Sequence, residues 1–142
     1  LVGFEALRLL EFQDCENLHE YDMNDIDKLF QLKYLSFRGT GMSKLPSGIV
    51  RLYGLETLDL RNTHIEELPS EIIQLVKLQH LLIARYPYSG TAHGETKIPN
   101  GIGTMKNLQA ISGFNIIKSS LCAVKELGNL TGLRDLHLQL DG

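Results

Sequence analysis

Residues 55–83 read Leu55-Glu-Thr-Leu58-Asp-Leu60-Arg-Asn-Thr63-His-Ile65-Glu-Glu-Leu68-Pro69-Ser-Glu-Ile72-Ile-Gln-Leu75-Val-Lys-Leu78-Gln-His-Leu81-Leu-Ile83. One string occurs twice in this stretch: leucine, two residues, leucine, one residue, an apolar residue. It stands at Leu55/Leu58/Leu60 and again 23 residues later at Leu78/Leu81/Ile83. Apolar residues two apart are the period of a short strand with one buried face. Between the two strings, Leu68-Pro69-Ser-Glu-Ile72-Ile-Gln-Leu75 spaces its apolar residues by three, a helical interval. Pro69 suits the first turn of a helix, where no backbone N–H is needed, and it stops the strand from running on.

Outward from this stretch the string recurs at Leu7/Leu10/Phe12, Leu32/Leu35/Phe37 and Leu133/Leu136/Leu138, with a weaker copy at Leu108/Ile111. The starts at Leu7, Leu32, Leu55, Leu78, Leu108 and Leu133 are spaced 25, 23, 23, 30 and 25 residues. Repeats of roughly 20–29 residues that each hold a strand and a helical return build stacked coils, because no coil can bury its leucines alone. Only the fourth interval is too long, so residues 85–97 are an insertion. The returns at Leu45-Pro46 to Leu52, Ile98-Pro99 to Met105 and Leu121 to Leu130 continue the series. The expected fold class is an α/β solenoid, a leucine-rich-repeat horseshoe segment. Short parallel strands line its concave face, about 4.8 Å apart, and short helical or irregular returns form the convex face. Residues 1–142 read as a single array and, opening inside a repeat at Phe4/Leu7 and stopping on a strand at Leu138-Gln-Leu140, as a fragment of a longer protein.

Alternation then predicts which residues project from the concave face, in three columns across the coils. The first is Leu9, Tyr34, Thr57, His80, Ala110, Asp135. The second is Glu11, Ser36, Asp59, Leu82, Ser112, His137, and the third is Gln13, Arg38, Arg61, Ala84, Phe114, Gln139. Tyrosine and arginine are frequent interface anchors, and Leu82 and Phe114 would be apolar where water otherwise reaches. The candidate protein-binding residues are therefore Tyr34, Arg38, Asp59, Arg61, His80, Leu82 and His137. The insertion adds Tyr86 and Tyr88, since long loops on a rigid scaffold often carry contacts. The competing reading of Asp59 is that it merely neutralises Arg38 and Arg61.

The remaining sequence excludes more than it adds. Composition is ordinary for a folded domain, with 43% hydrophobic and 22% charged residues, and no apolar run approaches the roughly 20 residues of a membrane span. A net charge of −3 has the wrong sign for a nucleic-acid footprint. Residues 1–27 hold eight acids against Arg8 alone, a balance of −7, which leaves +4 for the rest. Such an acidic end could orient a partner or simply solvate a loop. Five histidines and two cysteines show no metal-ligand spacing, and no phosphate-binding loop is present, so no metal or cofactor is expected. Ser112 and His137 should be cross-strand neighbours with Asp135 nearby, which imitates a catalytic triad. An open face without a pocket or oxyanion donors argues against catalysis, and the chain reads as a non-enzyme. Cys15 and Cys122 fall about four coils apart, on the order of 20 Å, too far for a disulfide. Two reduced thiols point to a cytoplasmic or nuclear setting.

The stretches Leu29-Phe-Gln-Leu-Lys-Tyr-Leu-Ser-Phe-Arg-Gly-Thr40, Leu55 to Pro69, Ile98 to Met105 and Glu126-Leu-Gly-Asn-Leu-Thr-Gly-Leu-Arg-Asp-Leu136 resemble the plant coiled-coil-type nucleotide-binding leucine-rich-repeat disease-resistance proteins, especially those of grasses. Cys15, Thr40 and Thr63 stand where extracellular plant repeats usually carry asparagine, and Leu45-Pro46 and Leu68-Pro69 replace their G-x-I-P, which favours the intracellular group. The resemblance implies the N-terminal part of a repeat domain that follows a nucleotide-binding switch domain. In similar proteins this part packs on the switch and holds it inactive with ADP bound, and the repeat domain also takes part in sensing a pathogen effector or a guarded host protein. The implied partners are that intramolecular domain, an effector and a host protein. The chain itself carries no coiled coil, phosphate-binding loop or Met-His-Asp motif, so it is expected to serve recognition or restraint rather than the switch. Two other readings stay open, a signalling scaffold resembling the plant Ras-group repeat proteins that binds a small GTPase, and a receptor ectodomain, for which Asn129-Leu-Thr131 would be a glycosylation sequon.

Overall fold

A strand of three to six residues makes too few ladder bonds to stand alone, so every described strand depends on the coils beside it. The computed structural model describes residues 3–84 and 96–140. Its strands are β1 (Leu9–Glu11), β2 (Tyr34–Ser36), β3 (Thr57–Asp59), β4 (His80–Leu82), β5 (Ala110–Asn115) and β6 (Asp135–Gln139). They form one six-stranded parallel sheet in sequence order, β1-β2-β3-β4-β5-β6. The register stacks the middle leucine of each string on the next, Leu10 on Leu35, Leu35 on Leu58, Leu58 on Leu81, Leu81 on Ile111 and Ile111 on Leu136. Ahead of each of β1 to β5, one carbonyl accepts two N–H groups from the following coil. Lys33 O takes Glu56 N and Thr57 N at 2.8 and 3.0 Å, and Glu56 O takes Gln79 N and His80 N at 2.7 and 3.0 Å.

The returns wind mostly as 3-10 turns, and the apolar spacing explains why. With three residues per turn, side chains three apart lie on one face, so Ile49, Leu52 and Leu55 all point inward, as do Ile72, Leu75 and Leu78. The bonds repeat in the same way. Ile49 N donates to Pro46 O at 3.1 Å, Leu52 N to Ile49 O at 3.1 Å and Leu55 N to Leu52 O at 2.9 Å. The turns span Ser47–Arg51 and Ser70–Gln74, so Pro46 and Pro69 stand at the cap position just before them rather than inside the first turn. Among the described residues one return contains an α-helix, α1 (Leu121–Glu126), whose N-cap Ser120 Oγ accepts from Ala123 N at 3.1 Å.

The core runs unbroken through the stack, from Met23, Ile26 and Leu29 through the string leucines to Ile111, Phe114 and Leu130. After the strands, Thr40 Oγ1 donates to Phe37 O at 2.7 Å and Thr63 Oγ1 to Leu60 O at 2.8 Å, both buried. Neither carbonyl has a ladder partner; Phe37 O also accepts Thr40 N at 3.1 Å, so the Thr40 hydroxyl adds a second bond there. Thr40→Val keeps the shape and removes the second donor while Thr40 N still serves Phe37 O, so it is expected to cost about 1 kcal/mol in a urea unfolding curve.

Position 114 corrects the sequence reading. Phe114 was expected to face the concavity, but it is fully buried. The β5–β6 register shifts between Ser112 and Phe114, where Gly113 takes φ +90°, and Phe114 then pairs with Leu138. An irregularity of one residue sends every following side chain to the opposite face.

Candidate functional site

The first two projected columns lie in register across the sheet: Tyr34 beside Thr57 beside His80 beside Ala110 beside Asp135, and Ser36 beside Asp59 beside Leu82 beside Ser112 beside His137. Of the candidate residues, Tyr34, Arg38, Arg61, His80 and Leu82 are half-buried and His137 is exposed. Asp59 departs from expectation, with only 2% of its surface exposed. Its carboxylate lies beneath Arg61, accepting from Arg61 Nε at 2.9 Å, Arg61 Nη2 at 2.6 Å and the Arg61 backbone N at 3.0 Å. Such a two-pronged pair fixes the guanidinium plane. Asp59 therefore orients Arg61 and offers no surface of its own. Tyr86 and Tyr88 lie outside the described residues.

Thr57 Oγ1 and His80 Nδ1 meet at 3.1 Å across β3 and β4, which pins the imidazole over the sheet. Beyond it the face drops. Leu82, Ala84, Ala110, Ile111 and Ser112 floor a cleft of about 430 Å³, with Arg61 on one side and Asp135 and His137 on the other. The depression has a simple cause: short side chains at 84, 110 and 112 stand between long ones. It also corrects the expectation of an open face without a pocket. The triad-like trio does line this cleft, yet among the described residues no hydrogen bond links Ser112 to His137 or His137 to Asp135. What the cleft presents is an apolar floor between the Asp59-paired guanidinium of Arg61 and the side chains of Asp135 and His137.

The acidic end is partly used in local structure. Asp22 Oδ2 accepts from His19 N at 2.9 Å, Asp27 pairs with Arg51 at 3.1 Å and Asp25 with Lys28 at 2.9 Å. The hydrogen bond and charge of Lys28 hold the Asp25 carboxyl below its ordinary pKa, and Asp25 in turn raises that of Lys28. The pair is washed by solvent and contributes little to stability. Glu11, Asp14 and Glu16 remain exposed beside β1. Cys15 and Cys122 are free and exposed. Among the described residues no three His, Cys, Asp or Glu side chains gather as a metal site would require, and no helix is long and apolar enough to cross a membrane.

A protein family described as a leucine-rich repeat region matches residues 1–142. Disease resistance protein RGA5 of Oryza sativa subsp. japonica is 36% identical over 138 residues, covering 95% of this chain and 12% of the relative. Disease resistance protein Pik-2 of the same organism is 35% identical over 161 residues, covering 96% of this chain and 16% of the relative. The chain thus spans a small part of the length of these relatives. Among solved structures, the plant peptide hormone receptor RGFR1 in complex with RGF2 superposes with a TM-score of 0.67 at 24% identity, over 94% of this chain and 20% of that one. An internalin (inlF) from Listeria monocytogenes does so with a TM-score of 0.59 at 16% identity, over 85% of this chain and 32% of that one. At these identities the superpositions speak to the fold alone.

Proposed function

The chain belongs to the leucine-rich repeat region family, and from that premise we propose that it is the protein-binding segment of a plant disease-resistance receptor. Its homology to the rice disease resistance proteins runs along nearly its whole length. In this reading the concave face packs against the nucleotide-binding switch domain of its own receptor and restrains it. The same repeat array takes part in recognising a pathogen effector or a guarded host protein, within the cytoplasm or nucleus, and it performs no catalysis.

The observation that carries the reading is the concave cleft, with Arg61 locked in place by Asp59 beside an apolar floor. A guanidinium already held in one orientation loses little freedom on meeting a partner, so more of the contact energy reaches the affinity. Tyr34, Arg38, His80, Leu82 and His137 surround it as the further contact residues, and Tyr86 and Tyr88 of the insertion are proposed to add to them.

The test is co-purification and calorimetric titration of this chain with the nucleotide-binding switch domain of a homologous rice receptor, expressed separately. The expected result is a complex that weakens about tenfold or more in Arg61→Ala and in Leu82→Asp. A complex unaffected by both substitutions, or none at all, removes the concave face as the restraining surface. Tight binding of a small GTPase instead would move the chain to the signalling-scaffold reading.

A further inference from the structure

We propose that the flank of the array from which the strands begin is a second docking surface, for an acidic amphipathic helix of a partner protein. It lies apart from the concave cleft and uses none of its residues, so the two can fail separately. The residue that follows the inward apolar anchor of each return is Phe30 after Leu29, Tyr53 after Leu52 and Val76 after Leu75. All three are large and open to solvent, 58%, 57% and 49% exposed. Single exposed apolar residues are ordinary, but three at one repeat position on adjacent coils make a continuous stripe.

In the next coils the same position holds Lys106 and Thr131, and the surface changes from apolar to polar. A groove of about 360 Å³ opens there, lined by Lys106, Asn107, Gln109, Thr131, Gly132 and Arg134 among others, without an acid. Lys106 Nζ donates to Asn129 O at 2.9 Å, a neutral partner that leaves its charge uncompensated. Asn107 Nδ2 donates to Val76 O at 2.8 Å and so ties the groove to the end of the stripe. Lys77 is exposed beside it. Along this flank the acids are Glu5, which holds the same repeat position in the first coil at the far end from the groove, and Glu56, which already pairs with Lys33 at 3.6 Å. Among the described residues no carboxylate lies within ion-pair distance of Lys77, Lys106 or Arg134. A second copy meeting this surface flank to flank would be repelled, whereas a carboxylate-bearing segment would be attracted.

Spacing decides what kind of segment fits. The coils succeed one another at about 4.8 Å, set by the parallel strands. On a helix, apolar residues alternating three and four apart advance about 5.3 Å per step, so they stay level with successive coils. Same-face residues of an extended chain advance about 6.8 Å and fall out of step after two or three coils. The occupant is therefore helical, with apolar residues over Phe30, Tyr53 and Val76 and glutamates or aspartates over Lys77, Lys106 and Arg134. From the second coil to the sixth is about 19 Å by strand spacing, the length of a helix of roughly 13 residues.

The probe is a synthetic helix-forming peptide of about 16 residues, with one apolar row followed by glutamates and a fluorescent label, titrated against the chain by anisotropy. The expected result is saturable binding that weakens as salt is raised. It should fall about tenfold or more for the glutamine version of the peptide, for Phe30→Ser/Tyr53→Ser and for Lys106→Glu/Arg134→Glu, and stay unchanged in Arg61→Ala. All four flank positions are exposed, so each variant should keep the parent melting curve. Equal affinity in the charge-reversed variant overturns the proposal. So does equally tight binding of phosphatidylserine vesicles or a DNA duplex, which would mark the flank as a general polyanion surface.

Discussion

Leu58→Ala is expected to lower the unfolding free energy by about 2–5 kcal/mol, while Leu136→Ala, the same residue type at the same repeat position, should cost less than about 1 kcal/mol. The difference lies in what covers each side chain. Leu58 is fully buried and stacks between Leu35 and Leu81, so truncation opens a cavity bounded by three coils. Leu136 pairs with Ile111 on one side only and is 43% exposed, so its loss removes contacts without leaving a void. Typical total stabilities are about 5–15 kcal/mol, and a solenoid is held by contacts between neighbouring coils alone. The upper end of the range for Leu58 is therefore enough to uncouple the array at its middle. Urea unfolding followed by circular dichroism measures both. Equal costs at the two positions would contradict the interlocking of coils on which the fold rests.

That interlocking was legible because it is periodic. Spacing alone places Leu32, Leu35, Leu55, Leu58, Leu78 and Leu81 inside, and all six are fully buried. The register of the first two projected columns follows from the same count. What the count could not reach depends on side-chain size or on a single irregular residue. Asp59 sits at an outward position and is nevertheless covered, because Arg61 folds back two residues to meet it. Alternation specifies direction, not what lies on top. The cleft has a similar origin, since its depth comes from comparing Ala84, Ala110 and Ser112 with their long neighbours. Phe30, Tyr53 and Val76 share one phase of the repeat and were visible in principle. They were missed because the count followed only the strand positions.

Gly113→Ala is expected to be the most damaging of the small substitutions, costing about 4 kcal/mol or more, where Gly128→Ala should be neutral or slightly stabilising. At Gly113 two penalties coincide. With φ at +90°, any L-residue pays the left-handed backbone cost of about 1–2 kcal/mol. A Cβ there would also press on the Ala84 backbone N and lie 2.6 Å from both Ala84 Cα and the Ile83 carbonyl carbon. Those atoms cannot yield cheaply, because Ile83 N donates to Ser112 O at 2.9 Å and Leu82 is in register with Ser112. A Cβ on Gly128 would meet nothing within 4 Å, and its φ is ordinary. The consequence reaches the cleft as well as the stability. The register shift at Gly113 lets Phe114 turn into the core while Ser112 and His137 keep facing the concavity. If alanine forces the strand back to regular pairing, Phe114 must leave the core, and β5 and β6 should lose amide-exchange protection before the rest of the sheet. An alanine variant within about 1 kcal/mol of the parent, with β5 still protected, would mean that the backbone at this position is not bent as described and that the sixth coil is held in register by something other than the glycine.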